Sequence, residues 1–427
     1  MIKIKQKTGS AAIIALIVIG VAAAITVGLF LFPYSPDKPL TTDDSGSTQQ
    51  GIQEVVNANN QFAFDLYSEL IKTEENNIFY SPYSISAALA MTYEGAKGQT
   101  ADEIKDVFQF PGSNVLRPNF AAIYNGINED NNEYQLSTGN ALWVQKNYPF
   151  LGDYMESVEK YYGGKAANVD FIGETEKSRE TINSFIEEQT NDKIKDLIPA
   201  GVLNPMTRLV LTNAIYFKGT WEWQFDKSDT NEEDFKITPT NIVKTDMMFM
   251  EPDKARLNYA DLDDLQILEL PYKGENISML ILLPTENLES IESKLTLDKF
   301  NAYKSEMKET SLDAIYLPKF EFDTKYFMKD TLSNLGMPTA FSGNADFSGM
   351  TGNKDLSISE VIHQAYVKVD EEGTEAAAAT AVIMGETAVG PGSSKIFKAD
   401  HPFIFIIQEK ETGNILFIGK VVDPTKQ

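Results

Sequence analysis

A net charge of −25 over 427 residues argues against nucleic acid or heparin-like polyanions as partners, since such a surface repels phosphate and sulfate. With 42% of residues hydrophobic and 23% charged, the chain has the composition of a folded soluble body, long enough for one large domain or two to three ordinary ones. The absence of cysteine removes disulfides, thiol catalysis, thiolate metal sites and a lipid anchor on Cys.

Lys3, Lys5 and Lys7 precede residues 11–32, a run of twenty-two without a charge. A membrane helix needs about 20 such residues, and basic residues ahead of it favour an N-terminus inside. Residues 1–32 are therefore expected to be an N-terminal transmembrane anchor that leaves the remainder on the extracellular face. The alternative is a cleaved signal peptide ending near Ala22-Ala23-Ala24, which would give a secreted protein. Residues 33–53 hold Pro, Asp, Ser, Thr and Gly with almost nothing to bury and read as a polar linker. One domain is expected over 54–427, with no internal repeat and no second linker.

Within that domain Phe62, Leu66 and Leu70, spaced by four, mark a helix. An apolar strand end at 77–80 turns at Ser81-Pro82 into a helix carrying Ile85 and Leu89. Thr100 and Glu103 have capping-box spacing ahead of Ile104, Val107 and Phe108. A buried strand is expected at 136–144, then an amphipathic stretch over 175–198 with Ile182, Phe185, Ile186, Ile194 and Leu197 on its apolar side. A strand at 209–217 leads to a turn at 218–221, and further strands follow at 277–283 and 315–322. A helix at 326–335 precedes a C-terminal hairpin of 403–407 and 415–422 about Glu411-Thr412-Gly413-Asn414. Helices and strands mixed without regular alternation indicate an α+β fold.

The run Gly373-Thr374-Glu375-Ala376-Ala377-Ala378-Ala379-Thr380-Ala381-Val382 follows the alternating strand Ala365-Tyr366-Val367-Lys368-Val369 and leads into a loop punctuated by Gly385, Gly390, Pro391 and Gly392. Alanine is the best helix former, so a short surface helix is one reading. The other is a strand able to enter between two strands already in place. Such a strand requires small side chains, no proline and no charge on its inward face. With period two, Thr374, Ala376, Ala378, Thr380 and Val382 share a face, while Glu375 lies on the opposite one.

No motif for catalysis or metal binding occurs. There are two histidines, His363 and His401, and no Gly-x-Ser-x-Gly elbow, His-Glu-x-x-His, phosphate loop or EF-hand. A Ser/His hydrolase built on either histidine has nothing to support it, and His401 is expected to be a hydrogen-bonded structural residue. Asp263-Asp264 and Glu371-Glu372 read as solvated faces or turns, and Asn276-Ile277-Ser278, which opens an apolar strand, as a chance glycosylation signal. Neither a catalytic residue nor a metal or cofactor is expected.

Four separated stretches carry a resemblance. They are Asn77-Ile78-Phe79-Tyr80-Ser81-Pro82-Tyr83-Ser84-Ile85; Thr212-Asn213-Ala214-Ile215-Tyr216-Phe217-Lys218-Gly219-Thr220-Trp221 with Phe225; Val369-Asp370-Glu371-Glu372-Gly373-Thr374-Glu375-Ala376-Ala377; and Phe397-Lys398-Ala399-Asp400-His401-Pro402-Phe403, closed by Phe417-Ile418-Gly419-Lys420-Val421. In this order and at these separations they resemble the serpin family over essentially all of 54–424. The resemblance implies three β-sheets, roughly nine helices and an exposed reactive-centre loop at about 371–394. It also implies suicide inhibition of a serine protease, in some members a cysteine protease. The target acylates at the loop, and the cut loop inserts into the main sheet and traps the covalent complex. Carried over by motif, the hinge is Glu371, Gly373, Thr374, Glu375, Ala376, Ala377, Ala378 and Ala379. The polar cluster beneath the opening strands is Ser81, Ser84, Asn213 and His363, with Trp221 where the loop first enters. Family sites for heparin do not transfer, because 115–128 holds Arg117 as its only cation. A monomer is expected, and a non-inhibitory serpin that binds or carries a ligand is the alternative.

Seventeen residues counted from Glu371, as in members with an ordinary hinge, place the reactive bond at Thr387-Ala388; Ala388-Val389 also fits. The fourteen residues 374–387 span roughly 46 Å at ~3.3 Å each, enough to run most of a sheet. No proline occurs from Thr374 to Met384, and no charge on the inward face. A small residue before the cut suits a shallow primary pocket, hence an elastase-like or subtilisin-like target. A trypsin-like target is disfavoured because no Lys or Arg lies between Lys368 and Lys395.

Overall fold

The computed structural model describes residues 41–128, 134–252, 255–374 and 395–426. The expected anchor at 1–32, the hinge residues Glu375, Ala376, Ala377, Ala378 and Ala379, and both candidate reactive bonds, Thr387-Ala388 and Ala388-Val389, lie outside them. Among the described residues there are three β-sheets and ten α-helices, an α+β architecture. None of those helices is long and apolar enough to cross a membrane.

The main sheet orders β13 (Phe320–Phe327), β14 (Ile358–Asp370), β15 (Gly373–Thr374), β5 (Leu209–Thr220), β3 (Ala141–Gln145) and β4 (Lys165–Val169), with β2 (Tyr134–Thr138) also paired to β5. A second sheet runs β1 (Ile78–Tyr80), β18 (Ile415–Val421), β17 (Phe403–Glu409), β10 (Ile277–Pro284), β9 (Leu265–Pro271), β8 (Leu257–Asp261) and β11 (Lys308–Thr310). Every residue of β10 and of β18 is buried. That explains why, Ser278 and Lys420 aside, their residues do not alternate between apolar and polar, since a strand covered on both faces has no reason to do so. The third sheet is β16 (Ile396–Lys398), β12 (Ala314–Pro318), β7 (Asn241–Met250) and β6 (Asn231–Thr238).

Several expectations are corrected where tertiary partners override local pattern. The linker assigned to 33–53 is docked from its second half onward. Thr42, 3% exposed, donates through Oγ1 to Ala121 O at 3.1 Å, and Thr48 caps helix α1 (Gln49–Leu70) by accepting from Gly51 N–H at 3.0 Å. Polar composition looked like a tether because its hydrogen-bond partners lie some eighty residues away. Helix α2 (Pro82–Gly95) starts as expected, with Ser81 as its cap. In α3 (Gly98–Phe108) no capping box forms: Thr100 Oγ1 accepts from Asp346 N–H at 2.9 Å and Glu103 from Thr339 N–H at 2.9 Å. After α4 (Ser113–Ile127), the strand expected at 136–144 breaks at Gly139-Asn140 into β2 and β3. Past α5 (Gly152–Tyr162), α6 (Thr175–Gln189) stops short of 198, because Asn191, Asp192 and Asp196 take φ of 51°, 59° and 46°. The turn expected at 218–221 is strand as far as Thr220, since Gly219 and Thr220 pair with β15. Tyr326 belongs to β13, and the helix after it begins at Lys329.

Candidate functional site

The site is the join between β14 and β5. The two strands pair in parallel from Ile358↔Leu209 to Tyr366↔Tyr216. Beyond Tyr366 the chain turns back on itself at Glu371-Glu372. It re-enters as β15, with Gly373 paired to both Asp370 and Thr220, and Thr374 to both Val369 and Gly219. A third strand has thus begun between the other two.

Each residue of this turn has a physical reason to be what it is. Gly373 has φ +153°, and a Cβ there would lie 2.0 Å from Gly219 O, a place only glycine can occupy. Thr374 is 1% exposed, and its Oγ1 lies 2.6 Å from the hydroxyl of Tyr272. Trp221 stacks on Tyr272 with centroids 4.5 Å apart, donates from Nε1 to Asp370 O at 3.0 Å, and donates from its backbone to Glu372 O at 2.9 Å. Glu371, read from sequence as solvated, is 3% exposed and accepts from Thr230 Oγ1 at 2.8 Å and Lys319 Nζ at 3.1 Å. Burial alone would push its carboxyl up; its backbone N–H, Thr230 and Lys319 outweigh that and leave it below the ordinary range. Glu372 is also buried and is paired with Lys227.

Lower in the join, Ser81, Ser84, Asn213 and His363 come together, all with no exposed surface. Ser81 N–H donates to His363 Nε2 at 3.1 Å, and Ser81 Oγ donates to Leu416 O at 2.6 Å. Asn213 Nδ2 donates to Ser84 Oγ at 2.6 Å, and Ser84 Oγ donates to Asn140 Oδ1 at 2.9 Å. With Nε2 accepting, the His363 proton sits on Nδ1, which faces Asn213 Oδ1. His363 and Asn213 are opposite each other across the parallel pair, so this bond ties β14 directly to β5. Asn140 is the member that sequence reasoning missed. Its signal was the Gly139-Asn140 interruption in the strand expected at 136–144, which gives no hint of the partner.

Burial pushes the His363 imidazole down to about 3, so it is held neutral. With both nitrogens engaged and no access to solvent it is no base for an outside substrate. His401 is tied to Pro284 O through Nε2 at 2.7 Å, a structural bond. An unfolded histidine titrates near ~6.5. Between that value and about 3 the unfolded state binds more protons, so stability is full above ~6.5 and is lost as pH falls. From pH ~6.5 to ~5, above most carboxylate titrations, the wild type is expected to lose ~2 kcal/mol. His363→Gln should be flat over the same range in urea unfolding, and parallel curves would remove this account.

A family profile described as Serpin (serine protease inhibitor) matches residues 57–424. The chain is 44% identical over 381 residues to a serpin-like protein of Methanosarcina acetivorans, spanning 87% of this chain and 88% of the relative. Among solved structures it is similar to Serpin48 of the insect Tenebrio molitor, with TM-score 0.79 and 35% identity over 87% of this chain and 98% of the other. It is likewise similar to human thyroxine-binding globulin complexed with thyroxine, with TM-score 0.79 and 32% identity over 88% and 100%.

Proposed function

The chain belongs to the serpin family, and from that premise we propose that it inhibits serine proteases as a suicide substrate. The target's serine attacks the carbonyl of Thr387, or of Ala388 one residue on, and forms an acyl ester while the new amino terminus leaves. The freed segment continues downward from Thr374 between β14 and β5, drawing the ester-bound protease with it. Serpin loop insertion is itself a standard case of strand addition and released strain.

The observation that carries this reading is the pairing of Gly373 and Thr374 with both neighbours. Each later residue would add ladder bonds on two sides, and β14 and β5, at 13 and 12 residues, match the length of the segment that would enter. In this role Ser81, Ser84, Asn213 and His363 hold the join shut and must exchange partners as it widens, and Trp221 marks where widening starts. The small residue at the cut favours elastase-like or subtilisin-like targets. The anchor at 1–32 would hold the inhibitor at the outer membrane face, with secretion as the alternative.

Mixing the chain from residue 41 onward with an elastase-like and a subtilisin-like protease is expected to give an adduct that survives denaturation, its junction found by mass spectrometry at residue 387 or 388. A second reading, a serpin that binds a small ligand without trapping, draws on the likeness to thyroxine-binding globulin. It predicts a clipped loop and no adduct.

A further inference from the structure

Before α1 begins, residues 42–48 form a strap across α4 and α5. Thr42, 3% exposed, shares its hydroxyl between Ala121 O at 3.1 Å and Asn125 Oδ1 at 2.9 Å. Asp43 donates from its backbone to Lys160 O on α5 at 2.7 Å and pairs with Lys160 Nζ at 3.1 Å. Thr48 N–H donates to Asn119 Oδ1 of α4 at 2.8 Å.

The strap turns on one side chain. Asn125 Oδ1 also accepts from Thr42 N–H at 3.0 Å, and Asn125 Nδ2 donates to Thr42 O at 2.9 Å and to Asp44 Oδ2 at 3.2 Å. Thr42 thus offers a backbone donor and a backbone acceptor to the same group, and only a carboxamide answers both. A carboxylate there would set an oxygen against Thr42 O and a like charge against Asp44. Next in the chain is Gly126, which makes this the only Asn-Gly pair in the sequence. Gly126 is exposed, and nothing lies within 4 Å of where its Cβ would be.

An Asn-Gly pair is open to loss of the side-chain amide, because no side chain on the second residue blocks ring closure. The Gly126 backbone nitrogen attacks Asn125 Cγ and gives up its proton, the Cγ–Nδ2 bond breaks, and ammonia leaves as a five-membered imide forms. Water then opens the ring, leaving aspartate or its isomer with the chain routed through the side-chain carbonyl. One water is consumed, one ammonium is released and one negative charge is gained. Two things hold the reaction back. Helical geometry at the end of α4 keeps the nitrogen from the carbonyl carbon, and the strap pins the carboxamide. Both relax when the strap lifts and the last turn frays.

We propose that Asn125-Gly126 is a hydrolysable clasp, at which spontaneous deamidation is a one-way release of the strap from α4. Residues 42–48, about 23 Å of chain at ~3.3 Å each, then become a free lead ahead of α1. The clasp is independent of the loop chemistry proposed above.

The test ages the full chain, kept in mild detergent, in mildly alkaline buffer. Deamidation is mapped by peptide mass spectrometry, and hydrogen exchange is read on the peptide that holds Asp43. The wild type is expected to convert at Asn125 before any other asparagine. Thr42→Val, which removes a hydroxyl at nearly constant shape, should convert about fivefold faster, the worth of one buried hydrogen bond. Gly126→Ala, which suits a helix, should convert at least about tenfold more slowly with the strap in place. Converted and unconverted wild-type chains, separated by charge from one folded sample, should differ about tenfold in exchange at Asp43, and Asn125→Asp should match the converted ones. Conversion at Asn125 no sooner than at other asparagines, a wild-type rate in Thr42→Val, or equal protection of Asp43 in converted and unconverted chains would each overturn the clasp.

Discussion

Replacing Thr374 by Arg is expected to turn an inhibitor into a substrate. Thr374 is 1% exposed, hydrogen-bonded to Tyr272 and paired on both sides at the mouth of the join. An arginine there would bury a guanidinium beside an uncharged phenol and the backbone of Gly219, with no carboxylate opposite. Burying an unpaired charge costs about 3 kcal/mol or more. The arginine is therefore expected to stay out of the mouth in the intact form, so that the cost is met when the cut loop must seat it. Acylation is left untouched, because the cut is expected some thirteen residues downstream. Trapping and hydrolysis compete for one acyl ester, so ~3 kcal/mol on one branch shifts the partition by about a hundredfold. Titration of protease with inhibitor should show the number of molecules consumed per enzyme inactivated rising more than about tenfold, with an unchanged rate of loop cleavage. Thr374→Ser, which keeps the hydroxyl, should behave as wild type. A wild-type stoichiometry in the arginine variant would count against insertion through this mouth.

Cleavage of the loop by a protease that escapes trapping is expected to raise the unfolding temperature. Thirteen further residues, 375–387, paired on both edges would contribute on the order of 10 kcal/mol after the entropy of ordering them. For a domain of this size that corresponds to about 12 °C. Calorimetry of intact and clipped protein checks it directly. A clipped form that melts no later than the intact one would mean that no strain is stored, and the inhibitor reading would go with it.

What could be read from the sequence divides along physical lines. The helix through Phe62, Leu66 and Leu70, the Ser81-Pro82 helix start and the C-terminal hairpin rest on local periodicity and cap chemistry, and each stands where expected. Ser81, Ser84, Asn213 and His363 were grouped only through the family resemblance. Nothing local says that residues separated by up to 282 positions share one hydrogen-bond network. Asn140 escaped for the same reason, and Glu371-Glu372 looked solvated because Lys319, Lys227 and Thr230 are remote in the chain. The strained end of α6 was invisible because amphipathic spacing continues past Gln189 while the backbone does not.

The seat already taken by Gly373 and Thr374 bears on how long the molecule stays useful. Starting a new strand is the slow, entropically costly part, and here it has been completed during folding. Under the proposed mechanism, what keeps the intact form intact is an arrest partway along a downhill path. Its working lifetime is governed by a rate and shortens steeply on warming. Storage history, more than equilibrium stability, would decide what fraction of a preparation remains competent.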